Sequence, residues 1–347
     1  MSFGTKRCRA GLGNAGMAQC AAKRRLALPP RRKTPRHCRK IALLNPSTSL
    51  DLVLQKKGMQ MNPDVTAFFD DPTNTVTYVV REPLGRACAV IDSVLDFDYA
   101  SGRTDTRAAD AILAHLRAEG LDLQWILETH VHADHLSAAP YLQQGAGGKI
   151  GIGVQITQVQ DTFGVVFNED ARFARDGSQF DELFAEGDSL MIGQMRCDVL
   201  HTPGHTPACV TYVAGDAAFV GDTLFMPDFG TARCDFPGGS AAVMFESVQR
   251  ILALPDATRI FVCHDYKAPG RDEFAWQSTV GEQKAHNVHV GAGQDKAAFV
   301  ALREARDASL AMPRLIVPSL QINMRAGHLP PAEKNGKTYL KVPVNGL

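Results

Sequence analysis

Trp125-Ile126-Leu127-Glu128-Thr129-His130-Val131-His132-Ala133-Asp134-His135 places three imidazoles and a carboxylate within six residues, directly after a short apolar run. The run Trp125 to Leu127 reads as a buried strand. On a turn leaving that strand, His130 and His132 can point to one side. Asp134 and His135 then open a helix expected from about Asp134 to Gln144. Neutral imidazole and carboxylate at this density are metal ligands of the kind that suit Zn and Fe.

Three further segments share this layout. His201-Thr202-Pro203-Gly204-His205-Thr206 contains a Pro-Gly turn that can present His205 at a loop tip. Gly221-Asp222-Thr223 follows the apolar run Ala217 to Val220, and His264-Asp265-Tyr266 follows Phe261-Val262-Cys263. Six of the 11 histidines therefore sit at strand-end loops, which one ligand cluster explains better than several unrelated loops.

The surrounding pattern is α/β. Strands are expected at 75–80, 87–91, 189–192, 196–200, 208–213, 217–220 and 259–263. Helices are expected at 106–119 and 240–253. This alternation suggests sheets with helices packed outside rather than a helical bundle. Residues 154–185 read as a long irregular excursion of the kind that forms lids or interfaces. Residues 296–312 read as a helix, and the Pro-containing remainder to Leu347 as short extended pieces.

Charge divides the chain. Its 37 basic and 37 acidic residues sum to zero, but residues 1–58 hold 14 Lys and Arg against Asp51 alone, and the remaining 289 residues carry −13. The first segment reads as a disordered basic extension ahead of a catalytic body at 59–347. It fits an organelle transit peptide, a nucleic-acid or anionic-lipid patch, or a stretch upstream of the working protein, because Met59 and Met61 stand just before the body. Nucleic-acid binding through this extension is the non-enzymatic reading, although the acidic body would repel a phosphate backbone. No apolar stretch approaches the roughly 18 residues of a membrane helix.

Eight Cys without a C-x-x-C do not form a disulfide framework. Cys88, Cys197, Cys209 and Cys263 lie in apolar runs, where inert thiols are expected. Cys234, between Arg233 and Asp235, reads either as a redox-sensitive neighbour of the site or as an inert loop thiol.

H-x-H-x-D-H, G-H-T, G-D and H-D-Y in this order resemble the metallo-β-lactamase superfamily over about residues 62–285. The resemblance implies a four-layer αββα sandwich with the metal at one edge of the two sheets. In dinuclear members, His130, His132 and His205 would hold one metal. Asp134, His135 and His264 would hold the other, with Asp222 bridging.

The segment Asp222-Thr223-Leu224-Phe225-Met226-Pro227-Asp228-Phe229-Gly230-Thr231-Ala232-Arg233-Cys234-Asp235-Phe236 resembles the persulfide (sulfur) dioxygenase branch. The long excursion and the extension from about residue 286 resemble its bacterial β-lactamase-like subgroup, linked to sulfide detoxification. That branch oxidises glutathione persulfide with O2 to sulfite and glutathione on one Fe(II) per chain. Carried over, the iron ligands are His130, His205 and Asp222. His132, Asp134, His135 and His264 would then orient ligands and tune the metal.

Arg233 is the expected partner of a glutathione carboxylate, or else of Asp235. Tyr266 is expected to hydrogen-bond substrate or a ligand. The alternative is a two-zinc thioester hydrolase of glyoxalase II type. By family analogy the protein is a homodimer or higher homo-oligomer. Its expected location is the cytoplasm, or the mitochondrial matrix if the basic extension is a transit peptide.

Overall fold

The computed structural model describes residues 61–346. The basic extension at 1–58, with its targeting and nucleic-acid readings, lies outside the described residues. The described chain begins β1 (Asp64–Asp70), β2 (Thr75–Arg81), β3 (Ala87–Ile91), β4 (Val94–Asp98), β5 (Arg103–Asp105), α1 (Arg107–Glu119) and β6 (Asp122–Leu127). It continues through β7 (Leu136–Ser137), α2 (Ala139–Ala146), β8 (Lys149–Gly153), α3 (Ile156–Val166), β9 (Glu182–Phe184), β10 (Ser189–Ile192) and β11 (Met195–His201). It ends β12 (Val210–Ala214), β13 (Ala217–Phe219), α4 (Ala241–Leu252), β14 (Arg259–Phe261), β15 (Gln277–Thr279), α5 (Val280–His286), α6 (Lys296–Asp307) and α7 (Ile316–Asn323).

Among the described residues, two six-stranded sheets run in the orders β1-β2-β3-β6-β8-β9 and β10-β11-β12-β13-β14-β15, beside a small sheet β5-β4-β7. Alternating side chains divide the buried surface into layers. Val76, Tyr78 and Val80 of β2 face Tyr212, Phe219 and Phe261 of the second sheet. Val79 points the other way, among Ile112, Leu116, Leu142, Ile156 and Leu320 of the outer helices. Beyond the second sheet, Ala218, Ile260 and Val262 pack on Met244, Val248, Val280 and Phe299. The result is the expected αββα sandwich. Each of these large apolar side chains contributes on the order of 1.5–3 kcal/mol by leaving water.

Parallel pairing puts the site at one edge. β3, β6 and β8 pair in parallel, as do β13 and β14. Parallel neighbours require crossovers, which α1, α2 and α4 supply. The segments after β6, β13 and β14 then leave on the same edge, carrying His130, Asp222 and His264.

Three expectations need correction. Asp134 and His135 do not open a helix: β7 intervenes and α2 starts at Ala139 behind a Pro in its first turn. The excursion is not irregular throughout, because α3 occupies Ile156–Val166 and buries Ile156, Val159 and Phe163 at helical spacing. The region after residue 312 is not merely extended pieces, because Ile316–Asn323 is a buried helix. The preceding helix is also shorter than expected and ends at Asp307.

Candidate metal centre

His130, His205 and Asp222 form one compact group, and His132, Asp134, His135 and His264 form another. In each, one ligand atom per residue lies within 4.8 Å of the others. Asp222 joins the groups: its Oδ2 is 3.9 Å from His130 Nε2 and 3.6 Å from His205 Nε2, while its Oδ1 is 3.3 Å from His264 Nε2. All seven ligand-type residues of the four motifs thus come together.

Local backbone explains how they reach one another. Gly221, at φ +52°, turns the chain after β13, and a Cβ there would sit 2.5 Å from Thr129 Oγ1. Only glycine lets the Asp222 turn press against the His130 loop. Gly204, at φ +140°, likewise rests on the backbone of Met244 at the start of α4, which holds the His205 loop.

The outward-facing nitrogens fix which lone pairs face inward. His205 Nδ1 donates to the Arg233 carbonyl at 2.7 Å, leaving Nε2 as an acceptor. Thr129 Oγ1 donates to Asp92 at 2.8 Å, so His130 Nδ1 donates to Thr129 at 3.0 Å and Nε2 again faces inward. His132 is reversed: its Nε2 meets Asp92 at 3.0 Å and Glu128 at 3.3 Å, so Nδ1 is the inward atom. His264 Nδ1 lies 3.2 Å from the Asn74 carbonyl, which can only accept, so its Nε2 lone pair faces Asp134 and Asp222.

Lone pairs converging on carboxylates are repulsive without a cation between them. Correspondingly, His130 Nε2, His132 Nδ1, His135 Nε2, His264 Nε2, Asp134 Oδ2 and Asp222 Oδ1 are all buried without hydrogen-bond partners. Such orphans are rare in proteins, and six aimed at one another fit a metal site.

Electrostatics agree with that fit at His130 and His135. Burial and the neighbouring imidazoles hold His130 well below the usual histidine range, and His135 also lies low, so both are neutral as ligands must be. Burial opposes charge on His132 too, but Asp92 and Glu128 outweigh it and raise this histidine. Asp134 stays low despite burial because His264 and His135 favour its anion.

Asp92 and Glu128, absent from the sequence-level site, are thus the carboxylates that orient His132. Each ends an apolar strand run, Ala87 to Ile91 and Trp125 to Leu127, which was the available sign.

A cavity of about 440 Å³ opens over the centre, lined by Asp134, His205 and Asp222 together with Phe225, Phe229, Phe236 and Tyr266. Tyr266 packs 5.8 Å from the His264 ring and 5.3 Å from Phe229. Its hydroxyl has no protein partner among the described residues. Arg233 also lines this cavity, but its fork is engaged: Nε and Nη2 meet Asp235 at 2.6 and 2.7 Å, and Nη1 donates to the Ala311 carbonyl at 2.7 Å. Of the two readings for Arg233, the structure displays the internal ion pair.

Cys234 is buried, and burial pushes its thiol up to about 12. It has the character of an inert thiol rather than a redox-sensitive one.

The fold and site carry a family assignment. A model of the metallo-β-lactamase superfamily matches residues 70–264, and the chain belongs to that superfamily. Over 293 residues it is 52% identical to a "probable metallo-hydrolase" of Burkholderia pseudomallei, covering 82% of this chain and 99% of that one. It is 44% identical to Glyoxylase B2 of Dictyostelium discoideum, covering 83% and 99% of the two chains. More distantly, it is 30% identical to the mitochondrial persulfide dioxygenase ETHE1 of Mus musculus, covering 75% and 87%. The crystal structure of ETHE1 from Myxococcus xanthus aligns with a TM-score of 0.60 at 29% identity, over 76% of this chain and 100% of that one. Among the described residues no helix is long and apolar enough to cross a membrane.

Proposed function

We propose that this chain is a persulfide dioxygenase that takes glutathione persulfide and O2, with one Fe(II) held by His130, His205 and Asp222. The observation that carries this reading is the compact group of two imidazoles and one carboxylate beside the cavity. Such a facial set leaves open positions on iron in non-haem oxygenases. Bound there, Fe(II) would supply a redox-active centre for O2, which zinc lacks. The balance is glutathione persulfide plus O2 plus water giving glutathione plus sulfite and two protons. The outer sulfur is oxidised, O2 is reduced, the S–S bond breaks and the thiol leaves protonated.

The chain's own part is to bind and orient. Phe225, Phe229 and Phe236 line the cavity with apolar surface that keeps bulk water from the reacting sulfur. Tyr266, which lines the cavity with its hydroxyl free, would hydrogen-bond the persulfide. Asp92 and Glu128 hold His132 with Nδ1 inward, beside the iron group.

A second reading has its own support. His130, His132 and His205 on one side and Asp134, His135 and His264 on the other, with Asp222 bridging, would make a two-zinc hydrolase centre, and two of the similar proteins bear the names metallo-hydrolase and Glyoxylase B2. Metal analysis of protein purified without added metal, paired with O2 uptake on glutathione persulfide, separates the two. One iron per chain with O2 consumption is expected. Two zinc ions per chain and no O2 consumption would overturn the dioxygenase.

A further inference from the structure

Four arginines line the cavity over the metal centre: Arg233, Arg303, Arg306 and Arg314. Two are committed to the protein. Arg233 grips Asp235 and the Ala311 carbonyl. Arg303 is fully buried, paired with Asp307, and donates to the Thr231 carbonyl at 2.9 Å. Together they brace the loop from Thr231 to Asp235 against α6 and the turn that follows it.

The other two differ. Arg306 lies on α6 one turn beyond Arg303, with its guanidinium 5.7 Å from the Phe229 ring. Arg314 lies beyond α6, just before α7. Both are exposed, and neither has a carboxylate partner among the described residues. They stand in a body whose acids outnumber its bases by 13, where an unpaired arginine does not lack for possible partners. Their shared feature is the cavity that also exposes Asp134, His205 and Asp222.

We infer that Arg306 and Arg314 are specificity-determining residues that bind a carboxylate of the thiol carrier while its sulfur sits at the metal centre. A guanidinium fork matches a carboxylate bidentately, and the Phe229 ring lies 5.7 Å from the Arg306 guanidinium at the cavity wall. The apolar rings accommodate the carrier's body, and the two arginines set its direction. This gives the segment after residue 286 a recognition role that the four metal motifs do not contain. The inference rests on the dioxygenase reading for the identity of the carrier, glutathione.

The test uses the full chain with its metal, and the variants R306Q/R314Q and R306K/R314K. Steady-state O2 uptake is measured on glutathione persulfide and on the persulfide of 2-mercaptoethanol, which has no carboxylate. R306Q/R314Q is expected to raise KM for glutathione persulfide at least tenfold with kcat within about twofold, and to leave KM for the carboxylate-free persulfide unchanged. R306K/R314K keeps the charge but not the fork, so it is expected to recover only part of the loss, and a charge-independent packing role would give no recovery. An unchanged KM, or an equal rise on both persulfides, overturns the inference. Calorimetric binding of S-methylglutathione reads the arginines without oxygen chemistry. If wild-type protein consumes no O2 yet binds this ligand at least tenfold more tightly than R306Q/R314Q, the dioxygenase reading fails and the recognition site stands. If O2 uptake is robust and neither binding nor KM moves, the reverse holds.

Discussion

Asn323, on the last helix, donates its side-chain amide to the backbone carbonyls of both His132 and His135, at 2.9 and 2.8 Å. Its amide oxygen accepts from the Ser137 backbone at 2.8 Å. One buried amide from nearly 190 residues away thus ties down the loop carrying His132, Asp134 and His135. Asn323→Leu keeps the size but leaves two carbonyls and one N–H buried without partners. It is expected to lower unfolding stability by about 2–4 kcal/mol and to weaken metal retention. Denaturant melts and metal stoichiometry check this, and unchanged values in both would remove the tie from the account.

Asp222 touches both ligand groups, whereas Asp134 belongs to one. In the one-iron arrangement Asp222→Ala abolishes iron retention while Asp134→Ala keeps part of it. Iron content after desalting reads the difference. Equal loss in the two variants favours the two-metal arrangement.

Asp92 accepts from the Thr129 backbone, the Thr129 hydroxyl and His132 Nε2, at 2.7, 2.8 and 3.0 Å. It sits at φ +53°, an unusual conformation for a residue with a side chain. Asp92→Asn preserves the outline but cannot accept all three donors and does not carry the charge that orients His132. Metal affinity is expected to fall roughly 10–100-fold, measured by competition with a chelator. An unaltered affinity would show that His132 needs no carboxylate behind it.

His289 gives the fold an acid limb away from the metal ligands. Its Nδ1 accepts from the Thr231 backbone at 3.0 Å, so the ring is neutral there. Burial first, then Arg303 and Arg306, push its pKa down to about 4. The ordinary value is about 6.5, so between about pH 4 and 6.5 the unfolded chain binds a proton that the folded chain refuses. Stability therefore rises with pH across that window and is lost as pH falls through it. In His289→Gln the slope of stability against pH is expected to drop by up to about 1.4 kcal/mol per pH unit. Denaturant melts at several pH values read that slope, and identical slopes in the two proteins would contradict the assignment.

The parts legible in the chain were those encoded within a few neighbouring residues. Val76 to Val80 and Ala87 to Ile91 read as strands because β-branched and apolar side chains run unbroken there. The seven ligand-type residues stood out because each follows an apolar strand within a short loop.

What escaped has physical reasons. The last helix, Ile316–Asn323, is buried on every side, so it lacks the polar face that makes a helix periodic. Pro318 suggests a break, yet it lies in the first turn, where proline displaces no helical hydrogen bond. The helix Ile156–Val166 was obscured by β-branched residues and Gly164, although Ile156, Val159 and Phe163 keep its spacing.

The sequence by itself therefore showed sheets with helices packed outside and the residues that could meet a metal, because those properties live in short-range pattern, while the superfamily and its αββα layering were what the resemblance of the four motifs implied. Only the tertiary structure decided which nitrogen of each histidine faces inward, since that depends on Asp92, Glu128, Asn74 and the Arg233 carbonyl arriving from other segments. It also decided which arginines are free. Arg233 and Arg306 have the same side-chain chemistry, and the difference is that Asp235 and Ala311 fill the fork of the first while the second has no carboxylate partner among the described residues.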